Sequence, residues 1–240
     1  MLSNRRGLAL ILVVLIALVF QSRTTVCASI SQLSPNASDA QVCDPLADYF
    51  LGMEDYPEAI RRHRAVIQEQ PGNALAHYHL GFAYGVMGQH QLELSEYQKA
   101  ISLGLDDWQL FLNLGLLYLE TGQLRDATEV LTLATLLGPD HAEAHFNLGL
   151  AYEKRGMLGA AEQQMLLSLE IDPDQVDAHN TLGAIYAEEG KYMRASQEWQ
   201  EIVQANPDYA PARANLNILE RVESGDLRDT SAHDGFVGER

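Results

Sequence analysis

The chain has 240 residues, 47% of them hydrophobic, which is enough for one or two packed domains. Its 16 Lys and Arg face 33 Asp and Glu, a formal charge of −17; without the first 28 residues the balance is 13 against 33, or −20. Such a surface repels phosphate backbones and anionic headgroups and so argues against nucleic-acid partners and peripheral membrane binding, while two cysteines, Cys27 and Cys43, are too few for a disulfide framework or a thiolate metal cluster.

The chain opens with a short segment ending in Arg5-Arg6, followed by an unbroken apolar run over residues 7–20. That run is short against the roughly 20 apolar residues that span a bilayer. It suits the apolar centre of a secretory signal, and Val26-Cys27-Ala28 offers small residues before a cleavage point at Ser29. An uncleaved anchor with its arginines held in the cytoplasm is the alternative. A lipidated Cys27 fits less well, because Thr24-Thr25-Val26 lacks the Leu and small residues that such a site uses. All three readings place the rest of the chain across the membrane from the ribosome. Residues 1–28 are thus expected to be a signal peptide or N-terminal membrane anchor, and the protein to be extracytoplasmic, in a bacterial periplasm. Membrane contact is expected only through residues 7–20 if they are retained. Residues 29–39 are polar, contain Pro35 and the sequon Asn36-Ala37-Ser38, and read as a linker.

A period of 34 residues fills the middle of the chain. Leu-Gly pairs recur at Gly81, Gly115, Gly149 and Gly183; tyrosines recur at Tyr84, Tyr118, Tyr152 and Tyr186. A second glycine column runs through Gly88, Gly122, Gly156 and Gly190, and prolines stand at Pro71, Pro139, Pro173 and Pro207, with Leu105 in the one gap. Within a unit, His145, Leu148, Gly149 and Tyr152 fall on one helical stripe. Gly156 ends that helix by accepting a left-handed conformation. A second helix is predicted from about Leu158 to Ile171, stopping before Pro173 and packing back through Ala161, Met165 and Ser168. Gly149 and Ala161 are small where the two helices must approach.

These columns closely resemble the tetratricopeptide repeat family over residues 74–209. Four full repeats occupy 74–107, 108–141, 142–175 and 176–209. A weaker one at 40–73 keeps Leu46-Ala47, Phe50, Ala59 and Pro71 in register but lacks the turn glycine. Residues 210–222, with Pro211 near the start and Leu216 and Leu219 on one side, match the lone helix that caps the last repeat in this family. The resemblance implies an all-α fold, a right-handed superhelix (α-solenoid) of antiparallel helix pairs over residues 40–222. The slot usually filled by tryptophan holds His77, Phe111, His145 and His179, and Leu105 replaces the inter-repeat proline. Residues 223–240, rich in Gly, Ser and Asp, are expected to be a disordered tail.

No catalytic residue, cofactor or metal is expected. Of the eight histidines, His77, His145 and His179 recur one repeat apart, too far to share a metal, and read as packing residues. His77 and His79 lie nearly opposite on one helix and cannot chelate together. No nucleophile elbow, phosphate loop or paired zinc motif occurs, and Glu153, Glu188 and Glu189 read as solvated.

In this family the first helix of each unit lines a concave groove, with residues offset from the packing stripe pointing inward. By that resemblance the wall consists of Tyr78, His79, Phe82 and Val86; Leu112, Asn113, Leu116 and Glu120; Phe146, Asn147, Leu150 and Lys154; and Asn180, Thr181, Ala184 and Glu188. Its amides can bond the backbone of an extended peptide, and its apolar stripe can take alternate side chains or one face of a helix. The competing expectation is that these side chains merely contact the neighbouring repeat. Chaperone-binding members clamp a carboxylate with several basic residues, whereas Lys154 is the only lysine near Asn113 and Asn147. The expected function is a non-enzymatic scaffold for a protein or peptide partner in envelope assembly, secretion or biogenesis. Self-assembly through end-to-end stacking and an accessory role in an enzyme complex are the alternatives.

Overall fold

A computed structural model describes residues 44–224. The expected leader at 1–28, the linker at 29–39, Cys27 and Cys43, and the tail after 224 lie outside the described residues. The described residues form eleven helices and no strand, the all-α class expected. None of these helices is long and apolar enough to cross a membrane. The chain divides into two compact units, one ending at Asp106 and the other beginning at Asp107.

The first unit holds α1 (Pro45–Gly52), α2 (Tyr56–Glu69), α3 (Ala74–Val86) and α4 (His90–Ser102). Consecutive helices pack on one another, and turns of a few residues make each pair antiparallel. Three of the starts are fixed by side-chain caps: Asp44 accepts from Leu46 N, Asp55 from Glu58 N and Asn73 from Ala76 N.

The second unit holds α5 (Trp108–Glu120), α6 (Leu124–Leu137), α7 (Ala142–Lys154), α8 (Leu158–Ile171), α9 (Val176–Glu188), α10 (Tyr192–Ala205) and α11 (Ala210–Glu223). Each helix packs on the next, and the first helices of neighbouring repeats, α5, α7, α9 and finally α11, also touch in sequence. The helix predicted to follow Gly156 is α8, with the predicted bounds.

The turn glycines carry the conformation expected of them, with φ of 68° to 76° at Gly88, Gly122, Gly156 and Gly190. The residue after each one donates back to the column tyrosine, as in Gln123 N to Tyr118 O and Lys191 N to Tyr186 O, both 2.8 Å. The first repeat keeps this turn without the glycine. Glu54 takes φ 60°, and Asp55 N donates to Phe50 O at 2.9 Å. An L-residue in this region costs about 1–2 kcal/mol, so the first repeat begins with a strained corner.

The core lies between the two helices of each pair. A Cβ on Gly149 would meet Met165 Cε at 2.8 Å, and one on Gly183 would meet the Trp199 indole at 2.5 Å. The close approach predicted at Gly149 is therefore made by Met165, while Ala161, also fully buried, lies one turn away. The capping helix closes the second unit: Leu219 is 2% exposed and Leu216 packs on the same cluster.

Candidate functional site

In the second unit the expected groove residues divide sharply by accessibility. On α5, Asn113 and Leu116 are half-buried and Glu120 is exposed, but Leu112 is buried. On α7, Phe146, Asn147 and Leu150 are all buried and only Lys154 is exposed. On α9, Asn180, Thr181 and Ala184 are buried and Glu188 is half-buried. The cause is side-by-side packing of first helices: Phe146, Leu150 and Ala184 belong to one cluster with Leu182, Ile185 and Trp199. Two amides are likewise occupied, Asn147 Nδ2 donating to Glu143 O at 2.8 Å and Asn180 Oδ1 accepting from Asn215 Nδ2 of the capping helix at 3.2 Å. Phe146, Leu150, Asn180 and Ala184 thus show the packing that was the competing expectation for this face.

In the first unit α3 presents Tyr78 and Phe82 half-buried and Val86 50% exposed. Phe82 leans on the small cluster of Leu51, Ala59 and Ala83. His79 points toward α1, its Nδ1 2.7 Å from Asp48 Oδ1.

The repeating histidines are built in as bridges. Nδ1 of His77, His145 and His179 lies 2.6, 2.8 and 2.7 Å from Glu96, Gln164 and Glu198 on the second helix of the same repeat. Their Nε2 atoms face the carbonyls of Pro71, Pro139 and Pro173 at 3.3, 3.1 and 3.0 Å. The packing reading is thereby refined: each ring ties a helix pair to the loop before it. At His179 the bond to Glu198 raises the pKa, burial opposes that rise, and the Pro173 carbonyl adds to it. The repeat with Phe111 in this slot has Val130 where the others have Glu or Gln, so both polar members are missing together.

Among the acidic residues read as solvated, Glu153 is instead half-buried, and burial raises its carboxyl pKa against the pull of Lys154. Glu189 pairs with Lys191 at 2.7 Å.

One constellation in the first unit escapes sequence reasoning. Asp48 on α1, His63 on α2 and His79 on α3 place one donor atom each within 4.8 Å of the others. They line a cavity of about 10 Å³ together with Asp44, Val66, Asn73, Leu75 and Ala76. His63 is 2% exposed, and burial, with a smaller push from His79, lowers its pKa to about 4 against the pull of Asp48 and Asp44.

The class of protein that this architecture defines is a helix-pair repeat scaffold for protein–protein interaction. The Tetratricopeptide repeat family model matches residues 45–106 and 112–176, and a second model of that family matches 165–197. More than half of the sequence is covered, and the chain belongs to the tetratricopeptide repeat family. No curated protein sequence matches it. Among solved structures it is similar to YrrB, described as a TPR protein with an unusual peptide-binding site, at 22% identity over 79% of this chain and 94% of that one, with a TM-score of 0.65. It is similar to PilF of Pseudomonas aeruginosa at 22% identity over 78% and 84%, TM-score 0.65. MamA of Desulfovibrio magneticus RS-1 matches at 20% identity over 69% and 93%, TM-score 0.64. At these identities the likeness is one of fold.

Proposed function

We propose that this chain is a non-enzymatic scaffold that holds an extended peptide or a helix of a partner protein on the first helices of its repeats, outside the cytoplasm. The observation that carries this reading is the gradient along the second unit. Leu116 and Asn113 on α5 remain accessible, whereas the equivalent Leu150 and Asn147 on α7, and Ala184 and Thr181 on α9, are closed by packing. An apolar side chain left accessible on a first helix suits a peptide or helix whose apolar side chains enter the strip. In the first unit Val86, Phe82 and Tyr78 offer a second accessible strip on α3. The peptide-binding site in the description of YrrB supports the same reading by analogy of fold. The apolar run at residues 7–20 supports export, and the surplus of acidic residues suits a partner with basic segments.

Affinity capture of the full-length protein from crosslinked cells of its native host tests this proposal. Val86→Glu and Leu116→Glu serve as probes; Phe146→Glu does not, because Phe146 is 7% exposed and a charge there breaks the core. Loss of the same captured proteins in the probe variants, with unchanged helical circular dichroism, supports the scaffold. An unchanged set, or a set dominated by copies of this chain, overturns it in favour of self-assembly.

A further inference from the structure

Asp48 and His63 in the first repeat and His79 at the start of the second stand at positions where the following repeats hold no carboxylate or imidazole. Stepping by 34 residues, Asp48 is followed by Phe82, Leu116, Leu150 and Ala184. His63 is followed by Tyr97, Leu131, Met165 and Trp199, each 1% exposed or less. His79 is followed by Asn113, Asn147 and Thr181. These three exceptions come from three different helices and converge on one small cavity.

Polar contacts within the cluster leave its atoms unsatisfied. His63 Nε2 and Asp48 Oδ1 are fully buried and have no hydrogen-bond partner. They stand 3.9 Å apart, too far for a hydrogen bond between them. His79 Nδ1 approaches Asp48 Oδ1 to 2.7 Å without the alignment that would satisfy the carboxylate oxygen. The two imidazoles meet edge to face with centroids 5.2 Å apart. The remaining polar lining groups are committed elsewhere, since Asp44 caps α1 and Asn73 caps α3. An apolar side chain at position 63, such as Leu131 and Met165 of later repeats, would avoid burying an orphan polar atom, so packing alone does not account for the imidazole.

We propose that Asp48, His63 and His79 form a binding site for a divalent transition-metal ion of the zinc type, which clamps α1 and α2 of the first repeat to α3 of the second. Two imidazole nitrogens and one carboxylate oxygen form a donor set of borderline softness that favours zinc-like ions over calcium or magnesium. Metal–ligand bonds of about 2.0–2.2 Å in a tetrahedron place donor atoms roughly 3.3–3.5 Å apart. The observed separations of 2.7 and 3.9 Å bracket that value, so small side-chain shifts close the shell. The cavity of about 10 Å³ accommodates one small ion, whose fourth position the three protein donors leave open. The other imidazole–carboxylate cluster, His179 with Glu198 and Glu201, differs in that both nitrogens of His179 already face partners, Glu198 and the Pro173 carbonyl.

The test uses the full-length protein freed of metal by chelator dialysis. Zn²⁺ is titrated in by calorimetry, and Co²⁺ is followed by its visible absorption. The expected result is one equivalent bound, with the intense Co²⁺ bands of a four-coordinate site and a rise in melting temperature on Zn²⁺ addition. Asp48→Asn and His79→Gln each weaken binding at least tenfold, and His63→Tyr, which installs the residue of the next repeat, abolishes it with helical circular dichroism intact. His179→Gln and the double variant Cys27→Ser, Cys43→Ser bind as the wild type does. Absence of a Zn²⁺ equivalent in the wild type, or equal affinity in Asp48→Asn and His79→Gln, or loss confined to the His179 or cysteine variants, overturns the proposal.

Discussion

The first and the last full helix pairs fill one position of their second helix with opposite chemistries. Trp199 in the second unit is 0% exposed, lies over Gly183 and donates its indole N–H to Asn180 O at 3.2 Å. His63 in the first unit is 2% exposed, sits opposite Ala47 in the repeat register and leaves Nε2 unpartnered. Both positions are buried by the same repeat geometry, yet one adds apolar contact and the other a desolvated ring. Burial in a solenoid is thus set by the repeat, whereas the chemistry placed there differs between the units. A tryptophan there stabilises its pair, and a polar triad there creates a place for a ligand.

The largest effect that sharpens this contrast is expected at Trp199. Trp199→Ala removes the side chain that fills the α9–α10 interface and is expected to cost about 3–5 kcal/mol, read by thermal or urea unfolding. The equivalent His63→Ala is expected to cost far less in the metal-free protein, and equal losses would break the comparison.

Acid comes next. Between about pH 6.5 and pH 4 the unfolded chain takes up a proton that buried His63 refuses. The unfolded state binds more protons in that window, so the metal-free protein loses stability as pH falls through it, by about 3 kcal/mol in all, with no contribution above it. His63→Tyr is expected to flatten this slope. His179 works with the opposite sign: its pKa is raised, so its contribution is complete below the ordinary histidine value and fades as pH rises through the raised one.

Gly149→Leu forces a side chain into Met165 and is expected to cost about 1–3 kcal/mol; an unchanged melting temperature would show that the α7–α8 interface can yield. The smallest effect is a gain. Glu54→Gly relieves the left-handed corner of the first repeat and is expected to stabilise it by about 1 kcal/mol, as a rise in melting temperature.

The repeat architecture is legible in the sequence because its determinants are local. Gly156 closes a turn, Pro173 stops α8, and the stripe from His145 to Tyr152 faces inward, each within about one helix of the residue concerned. The functional surface is less legible, because accessibility is decided by neighbours. Asn180 lies at the expected groove position, yet its amide is taken by Asn215, 35 residues later. His79 cannot chelate with His77 on the opposite side of its own helix, and its companions arrive from α1 and α2, 31 and 16 residues earlier. The signal that finds them is the departure of Asp48, His63 and His79 from their columns, which is visible once the 34-residue register is extended into the repeat without its glycine.

Whether the accessible residues of α5 hold a partner is decided by a photocrosslinking residue placed in the full-length protein in living cells of its native host. Position 116 on α5 is compared with position 136 on α6, where Leu136 is 72% exposed. Discrete crosslinks to a small set of other proteins are expected from position 116, and none of these from position 136. Crosslinks from position 136 alone, or from position 116 only to copies of this chain, would contradict partner binding on α5.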